Sequence, residues 1–327
     1  MADIGQDKWK KAQEAVALLR QGVAQVIVGQ QQIVEEMLVA LLCRGHCLIV
    51  GVPGLAKTLL VSTLGQLLGL AFHRIQFTPD LMPMDIIGSE ILQEDASGSR
   101  RKFEFTAGPI FANLILADEI NRTPPKTQAA LLEAMQEKQV TVAGRTMPLA
   151  EPFIVYATQN PIEHEGTYPL PEAQLDRFFF NLLIDYPTLD EERQIVRQTT
   201  GRQRPAVSKA LDAAQVLELQ DAVLDVPVPD HVLEYILKLV TASRPSREPA
   251  DPFVRQYVEW GAGPRASQTL TLAAKALALL RGQPAASVEE VRHVAKPVLR
   301  HRVIPNYNAT GEGISVERIV DHLLETV

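Results

Sequence analysis

The sequence predicts an α/β protein: a parallel sheet flanked by helices, followed by an all-helical domain. Three observations carry that expectation. Cys47 to Gln66, CLIVGVPGLAKTLLVSTLGQ, reads as an apolar strand, a glycine-rich turn and an amphipathic helix. A second apolar strand, inside FANLILADEINR (Phe111 to Arg122), ends on two adjacent acids, Asp118 and Glu119. After Tyr186 and Pro187 the strand signals stop and helix follows helix. The expected division is therefore residues 1–187 for the α/β part and 188–327 for the helical part.

In the first stretch, Leu48, Ile49 and Val50 suit a strand buried on both faces. Gly51 and Gly54 let the main chain curl so that several backbone N–H groups point at one spot, where an anion is favoured. Val52, Pro53, Leu55 and Ala56 complete the turn, and Leu59 follows in the helix. Lys57 adds a positive charge suited to β- and γ-phosphates, and Thr58 a hydroxyl suited to magnesium. The stretch departs from G-x-x-x-x-G-K-[ST] at Ala56. If that residue takes a positive φ, alanine carries a penalty of roughly 1 kcal/mol.

Of the 327 residues, 46% are hydrophobic and 22% charged, as in a globular protein with a large core. The formal net charge of −7 disfavours a nucleic-acid partner. The longest apolar runs, such as Met37 to Cys43, are too short to cross a bilayer, so no membrane insertion is expected and the reading is cytoplasmic. CRGHC, from Cys43 to Cys47, has two thiols and an imidazole. No second ligand cluster completes a tetrahedral set, so both cysteines are read as structural.

Taken in order, residues from about Lys8 to Val23 have the spacing of an amphipathic helix, and Gln31 to Cys43 of a second. Between them lies VIVGQ, in which a turn at Val28 and Gly29 is either a purine contact or a simple helix cap. Ala71 to Thr78 is strand-like. Glu90 to Gly108 reads as a polar hairpin around Asp95 to Gly98, and an insert of this length usually has a function. At the end of the Ala112–Ala117 strand, Asp118 is placed to hold magnesium through water, and Glu119 to orient and deprotonate an attacking water. A helix over Thr127 to Lys138 precedes a hairpin whose tip carries Arg145. Pro152 to Pro161 is another buried strand ending in Thr158, Gln159 and Asn160, of which Asn160 is the choice for contact with a γ-phosphate or its water. PLPEAQLDRFFF, from Pro169, gives a short helix ending at Asp176 and Arg177, where an internal ion pair is the simpler reading. Six helices then follow: Asp190–Thr199, Ser208–Val223, Pro229–Ala242, Ala266–Arg281, Ser287–Arg300 and Ser315–Thr326. Arg265, at a helix start, is badly placed for the macrodipole and calls for a negative partner, nucleotide being one candidate.

GVPGLAKT, ADEINR, ATQNP, LPEAQLDRF and GPRA occur in an order and spacing that resemble the AAA+ ATPases, and most closely their MoxR family. The resemblance covers nearly the whole chain. It implies a P-loop NTPase core with a helical lid, binding ATP with Mg2+. By that likeness Lys57 and Thr58 would be the Walker A pair, Asp118 and Glu119 the Walker B pair, and Asn160 the first sensor. Arg177 would be an arginine finger reaching a neighbouring subunit, and Arg265 the second sensor. Residues 90–108 would be the helix-2 insert and 140–149 the pre-sensor hairpin. The resemblance further implies a homo-oligomer, a hexamer, acting as a chaperone-like remodeller beside a von Willebrand factor A domain protein. A nucleic-acid-acting AAA+ motor and a metal-chelatase-type ATPase subunit are the alternatives. No residue names the client.

Overall fold

The computed structural model describes residues 6–94, 101–162, 166–201 and 207–327. Five strands form one parallel sheet in the order β2-β5-β8-β1-β9: β1 Cys47–Val50, β2 Phe72–Gln76, β5 Leu114–Asp118, β8 Ile154–Gln159 and β9 Phe180–Leu183. Each central strand has too few polar residues to face water. Leu48, Ile49, Ile115, Leu116, Val155 and Tyr156 are all essentially unexposed. Successive side chains leave a strand on opposite faces, so two apolar layers result. Ile49, Leu116 and Tyr156 join one core with the helices α1 (Gln6–Val26), α2 (Gln31–Leu42) and α3 (Lys57–Leu67). Leu48, Ile115 and Val155 join the other with Ile86 of α4 (Pro83–Ile87) and with Leu131 and Met135 of α5 (Pro125–Glu137). The phenolic hydroxyl of buried Tyr156 donates to the Met37 carbonyl at 2.9 Å, which satisfies the only polar atom of its side chain.

Two antiparallel hairpins stand outside the sheet. β3 (Gly88–Glu94) pairs with β4 (Arg101–Ala107), and β6 (Gln139–Val142) with β7 (Arg145–Pro148). The expected tip of the first, Asp95 to Gly98, lies outside the described residues. The tip of the second turns through Ala143 and Gly144, at φ 49° and 78°, the backbone twist that two-residue hairpins prefer.

Beyond the sheet the chain is helical: α7 (Leu189–Thr199), α8 (Ala213–Asp225), α9 (Asp230–Ala242), α10 (Pro252–Tyr257), α11 (Pro264–Arg281), α12 (Val288–Leu299), α13 (Tyr307–Glu312) and α14 (Val316–Thr326). Side-chain caps explain several starts. Thr188, Asp212 and Ser287 each accept from a backbone N–H in the first turn. The six helices read from the sequence are joined by two short ones, α10 and α13. A small antiparallel ribbon also appears, β10 (Val258–Trp260) against β11 (Ile304–Pro305). These elements have at most six residues each, too few for a periodic signal. The helical half packs on α1 and α2 as well as on itself, and one continuous core runs through both. No helix among the described residues is long and apolar enough to cross a membrane.

His46, between the two cysteines, is buried with both ring nitrogens in use. Its Nδ1 accepts from Val155 N–H at 3.0 Å, which leaves Nε2 to donate to the Met135 carbonyl at 3.2 Å. That pattern defines a neutral imidazole whose one lone pair is taken by the backbone. Burial raises both cysteine thiols, which suits structural packing.

Candidate functional site

Because the five strands run parallel, their carboxyl ends open on one edge. β1 and β5 are separated only by β8, which pairs with both. The glycine turn after Val50, the acids after Ala117 and the polar end of β8 therefore meet. This is the crevice where open α/β sheets take ligands.

The turn carries the strain that the sequence implied. Ala56 sits at φ 56° and ψ 23° as the residue before α3, a left-handed conformation that alanine adopts at a cost of roughly 1 kcal/mol. Gly54, at φ 87°, has open space where a side chain would stand, while a Cβ on Gly51 would lie 2.8 Å from the Ile184 carbonyl. Lys57, the first residue of α3, folds back so that its amine donates to the Gly51 carbonyl at 2.6 Å. Burial pushes the Lys57 amine below its ordinary value, and the charges of Asp118 and Glu119 work in the opposite direction. The lysine thus lies within the field of both acids, held by the Gly51 carbonyl.

Asp118 ends β5 and Glu119 follows in a left-handed conformation, φ 58° and ψ 49°, which turns the chain sharply out of the strand. Thr158 on β8 holds both. Its hydroxyl donates to Asp118 Oδ1 at 2.6 Å and accepts from the Glu119 N–H at 2.8 Å. From the other side come two residues of β2. Arg74 donates to Asp118 Oδ2, and Gln76 Nε2 donates to Glu119 Oε2 at 2.9 Å. Arg122 lies 3.2 Å from the same Glu119 oxygen. Asn160, just beyond β8, is buried, and its side-chain oxygen accepts from Ile162 N–H at 3.1 Å.

Thr58 is half-buried in the first turn of α3; Val52 is half-buried against the core, Pro53 and Leu59 are exposed, and Leu55 is buried. Val28 and Gly29 line a cavity of about 660 Å³ between α1, α2, α7 and α12. Gly29, at φ 68°, faces α7 so closely that a Cβ would stand 2.3 Å from Glu191 Oε1.

The two remaining sequence-selected arginines, Arg177 and Arg265, bond to α5 and to Asp176. Arg177, just past the short helix α6 (Glu172–Leu175), is exposed and donates to the Leu132 carbonyl at 3.1 Å, beside α5. The expected ion pair between Asp176 and Arg177 is corrected: Asp176 Oδ2 accepts from Arg265 at 2.7 Å and Oδ1 from Arg302 at 2.8 Å. Adjacent residues diverge in direction here, and the helical half supplies the cations instead. The negative partner of Arg265 in this structure is thus a protein carboxylate. Sequence reasoning missed Arg74, Gln76 and Arg302. The first two form an i, i+2 pair on one face of a strand, a polar signal that was visible but unassigned.

An anion cradle at a helix start, a partly desolvated lysine and two acids on a neighbouring strand end define a P-loop nucleotide protein. The comparisons agree. A family model described as "ATPase family associated with various cellular activities (AAA)" matches residues 46–180, and an AAA lid domain model matches 252–323. Chaperone MoxR1 of Mycobacterium tuberculosis is 46% identical over 93% of this chain and 80% of its own length. Protein MoxR of Paracoccus denitrificans is 29% identical over 92% of each chain. The crystal structure of a putative ATPase from Cytophaga hutchinsonii superposes with a TM-score of 0.92 at 41% identity, covering 98% of this chain and 97% of that one. This chain belongs to the MoxR family of AAA+ ATPases.

Proposed function

We propose that the chain hydrolyses ATP to ADP and phosphate at sites shared between subunits of a ring, a hexamer, and uses the cycle to remodel or mature partner proteins. The observation that carries this reading is Lys57, after the turn that follows β1, within the field of Asp118 and Glu119 at the end of β5, with Asn160 just past the strand between them. Phosphoryl transfer needs positioning and charge neutralisation more than covalent chemistry, and these groups supply both.

In this reading the N–H groups of residues 51–57 and the Lys57 amine take the β- and γ-phosphates, the amine exchanging the Gly51 carbonyl for phosphate oxygen. Val28 and Gly29 border the base, and the remaining turn residues, Val52 to Leu59, shape the cradle. Glu119 draws the proton from the attacking water, and Asn160 holds that water in line. The donor set fits magnesium, since Asp118 offers a carboxylate and Thr58 a hydroxyl, both hard oxygen ligands. Bound there, the ion would neutralise charge on the β- and γ-phosphoryl oxygens.

Arg177, exposed beside α5, is suited to reach a neighbour's γ-phosphate. Arg265, on the first turn of α11, would exchange Asp176 for the phosphate as the lid, residues 188–327, closes on the core, residues 1–187. The β3–β4 hairpin leaves Leu92 and Phe103, direct cross-strand partners, exposed. Such a pair is suited to hold an apolar client segment. A von Willebrand factor A domain protein is the proposed partner, on the resemblance to the MoxR family alone; the remodelling role is in keeping with a relative that is named a chaperone.

Mixing tests the shared site. Glu119→Gln and Arg177→Ala proteins are each expected to be inactive. In equal mixtures about one interface in four pairs an intact Glu119 with an intact neighbouring Arg177, so phosphate release should return. No recovery in well-mixed rings would refute a finger acting between subunits.

A further inference from the structure

The acid pair is engaged from the edge strand in a way that the reaction itself does not require. Arg74 and Gln76 lie on one face of β2, with Arg74 opposite Leu116 and Gln76 opposite Asp118 in the pairing with β5. Arg74 Nε and Nη2 both donate to the same oxygen, Asp118 Oδ2, at 3.0 and 2.6 Å. Nη2 also donates to Gln76 Oε1 at 2.6 Å, which orients that amide so that its Nε2 reaches Glu119 Oε2 at 2.9 Å. The other Asp118 oxygen, Oδ1, already accepts from Thr158. One exposed arginine thus ties the two acids together.

We propose that Arg74 is a positioning residue that stands in for the divalent ion. Its guanidinium occupies the Asp118 oxygen that Thr158 leaves open, so that ion binding here is an exchange of one cation for another. This rests on the ATPase reading above. The guanidinium thus meets the arriving ion as a competing positive charge. A second cation at the same oxygen would be repelled by it, and one of the two must leave. The Arg74 side chain is 49% exposed and that of Asp118 13%, so the arginine is the partner free to swing into water. The Lys57 amine is already engaged by the Gly51 carbonyl. When Arg74 leaves, Gln76 loses the donor that orients it, and Glu119 is loosened in the same step. Arrival of the metal is thereby coupled, through a single side chain, to the Gln76 contact on Glu119, while the Arg122 contact on the same oxygen does not depend on Arg74.

The test is a manganese titration followed by the free-ion EPR signal, on the full chain with a non-hydrolysable ATP analogue present. Removing the competing cation in Arg74→Met should lower the half-saturating Mn2+ concentration by about two- to fivefold, the size expected for loss of a half-exposed ion pair. Arg74→Lys, which keeps the charge but not the fork, should fall between Arg74→Met and the unaltered protein. A merely structural role has the opposite sign, because a loosened Asp118 binds the ion more weakly. Unchanged or weaker Mn2+ binding in Arg74→Met overturns the inference, and Arg74→Gln repeats the test should the first variant fold poorly. If the unaltered chain takes up no Mn2+, or Asp118→Asn binds it equally well, the ATPase reading of the site falls first.

Discussion

Acidification should weaken the fold through one imidazole. His46 is enclosed between β8 and α5, its ring set edge-on to Phe153 at 5.9 Å, with Nδ1 and Nε2 both bonded to backbone. Burial pushes its pKa from the ordinary 6.5 down to about 4; the Met135 carbonyl opposes that shift and the Lys138 charge adds to it. In the unfolded chain the same ring takes its proton near 6.5. Between those two values the unfolded state binds a proton that the folded state refuses, so stability is full above pH 6.5 and falls as the pH drops toward 4. The ceiling of the loss is about 3.4 kcal/mol, from a difference of about 2.5 pKa units at 1.36 kcal/mol each. Between pH 7.5 and pH 5 the part expressed is about 2 kcal/mol. Urea unfolding followed by circular dichroism, on the unaltered chain and on His46→Gln across that range, reads the difference directly. His301, held below its ordinary value first by burial and then by the Arg302 charge, titrates in the same direction in both proteins. The two slopes should therefore differ by the His46 share alone, whatever the absolute stability of the variant. Parallel slopes would refute the assignment of a buried neutral imidazole.

Further outcomes follow from the same contacts. Thr158→Val removes the group that holds Asp118 and the Glu119 N–H together, so phosphate release should fall about a hundredfold while nucleotide affinity changes little. Asp176→Asn leaves Arg302, only 2% exposed, without its countercharge and should cost about 3 kcal/mol in urea unfolding. Arg265→Ala, which removes the exposed partner of the same carboxylate, should cost under about 1 kcal/mol. Gly29→Ala drives a Cβ into Glu191 at φ 68° and should lower the melting temperature and weaken nucleotide binding, as read by titration of a fluorescent ATP analogue.

Much of the fold was legible because local pattern and global position agree here. The apolar runs at 48–50 and 112–117 mark the central strands β1 and β5, the second beginning at Leu114, and the glycine turn between β1 and α3 needs its backbone freedom where the motif places it. The positive φ of Ala56 follows from the motif it departs from. What the chain did not disclose are contacts made across registers. Arg74 reaches Asp118 only because β2 lies beside β5, and Asp176 meets Arg302 across more than a hundred residues of sequence. Thr158 stands in view at the end of β8, but only strand order shows that its hydroxyl meets the Asp118 carboxylate and the Glu119 N–H. Short elements such as α10, α13 and the β10–β11 ribbon are made by tertiary packing, for which periodicity carries no signal.

The central claim is that the glycine turn and the acid pair serve one bound ATP. It is tested most directly by measuring ATP binding and phosphate release side by side on three proteins: the unaltered chain, Lys57→Ala and Glu119→Gln. The expected result is turnover only in the first, binding without turnover in Glu119→Gln, and loss of binding in Lys57→Ala. Turnover in Glu119→Gln at the unaltered rate, or ATP bound undiminished without Lys57, would contradict it.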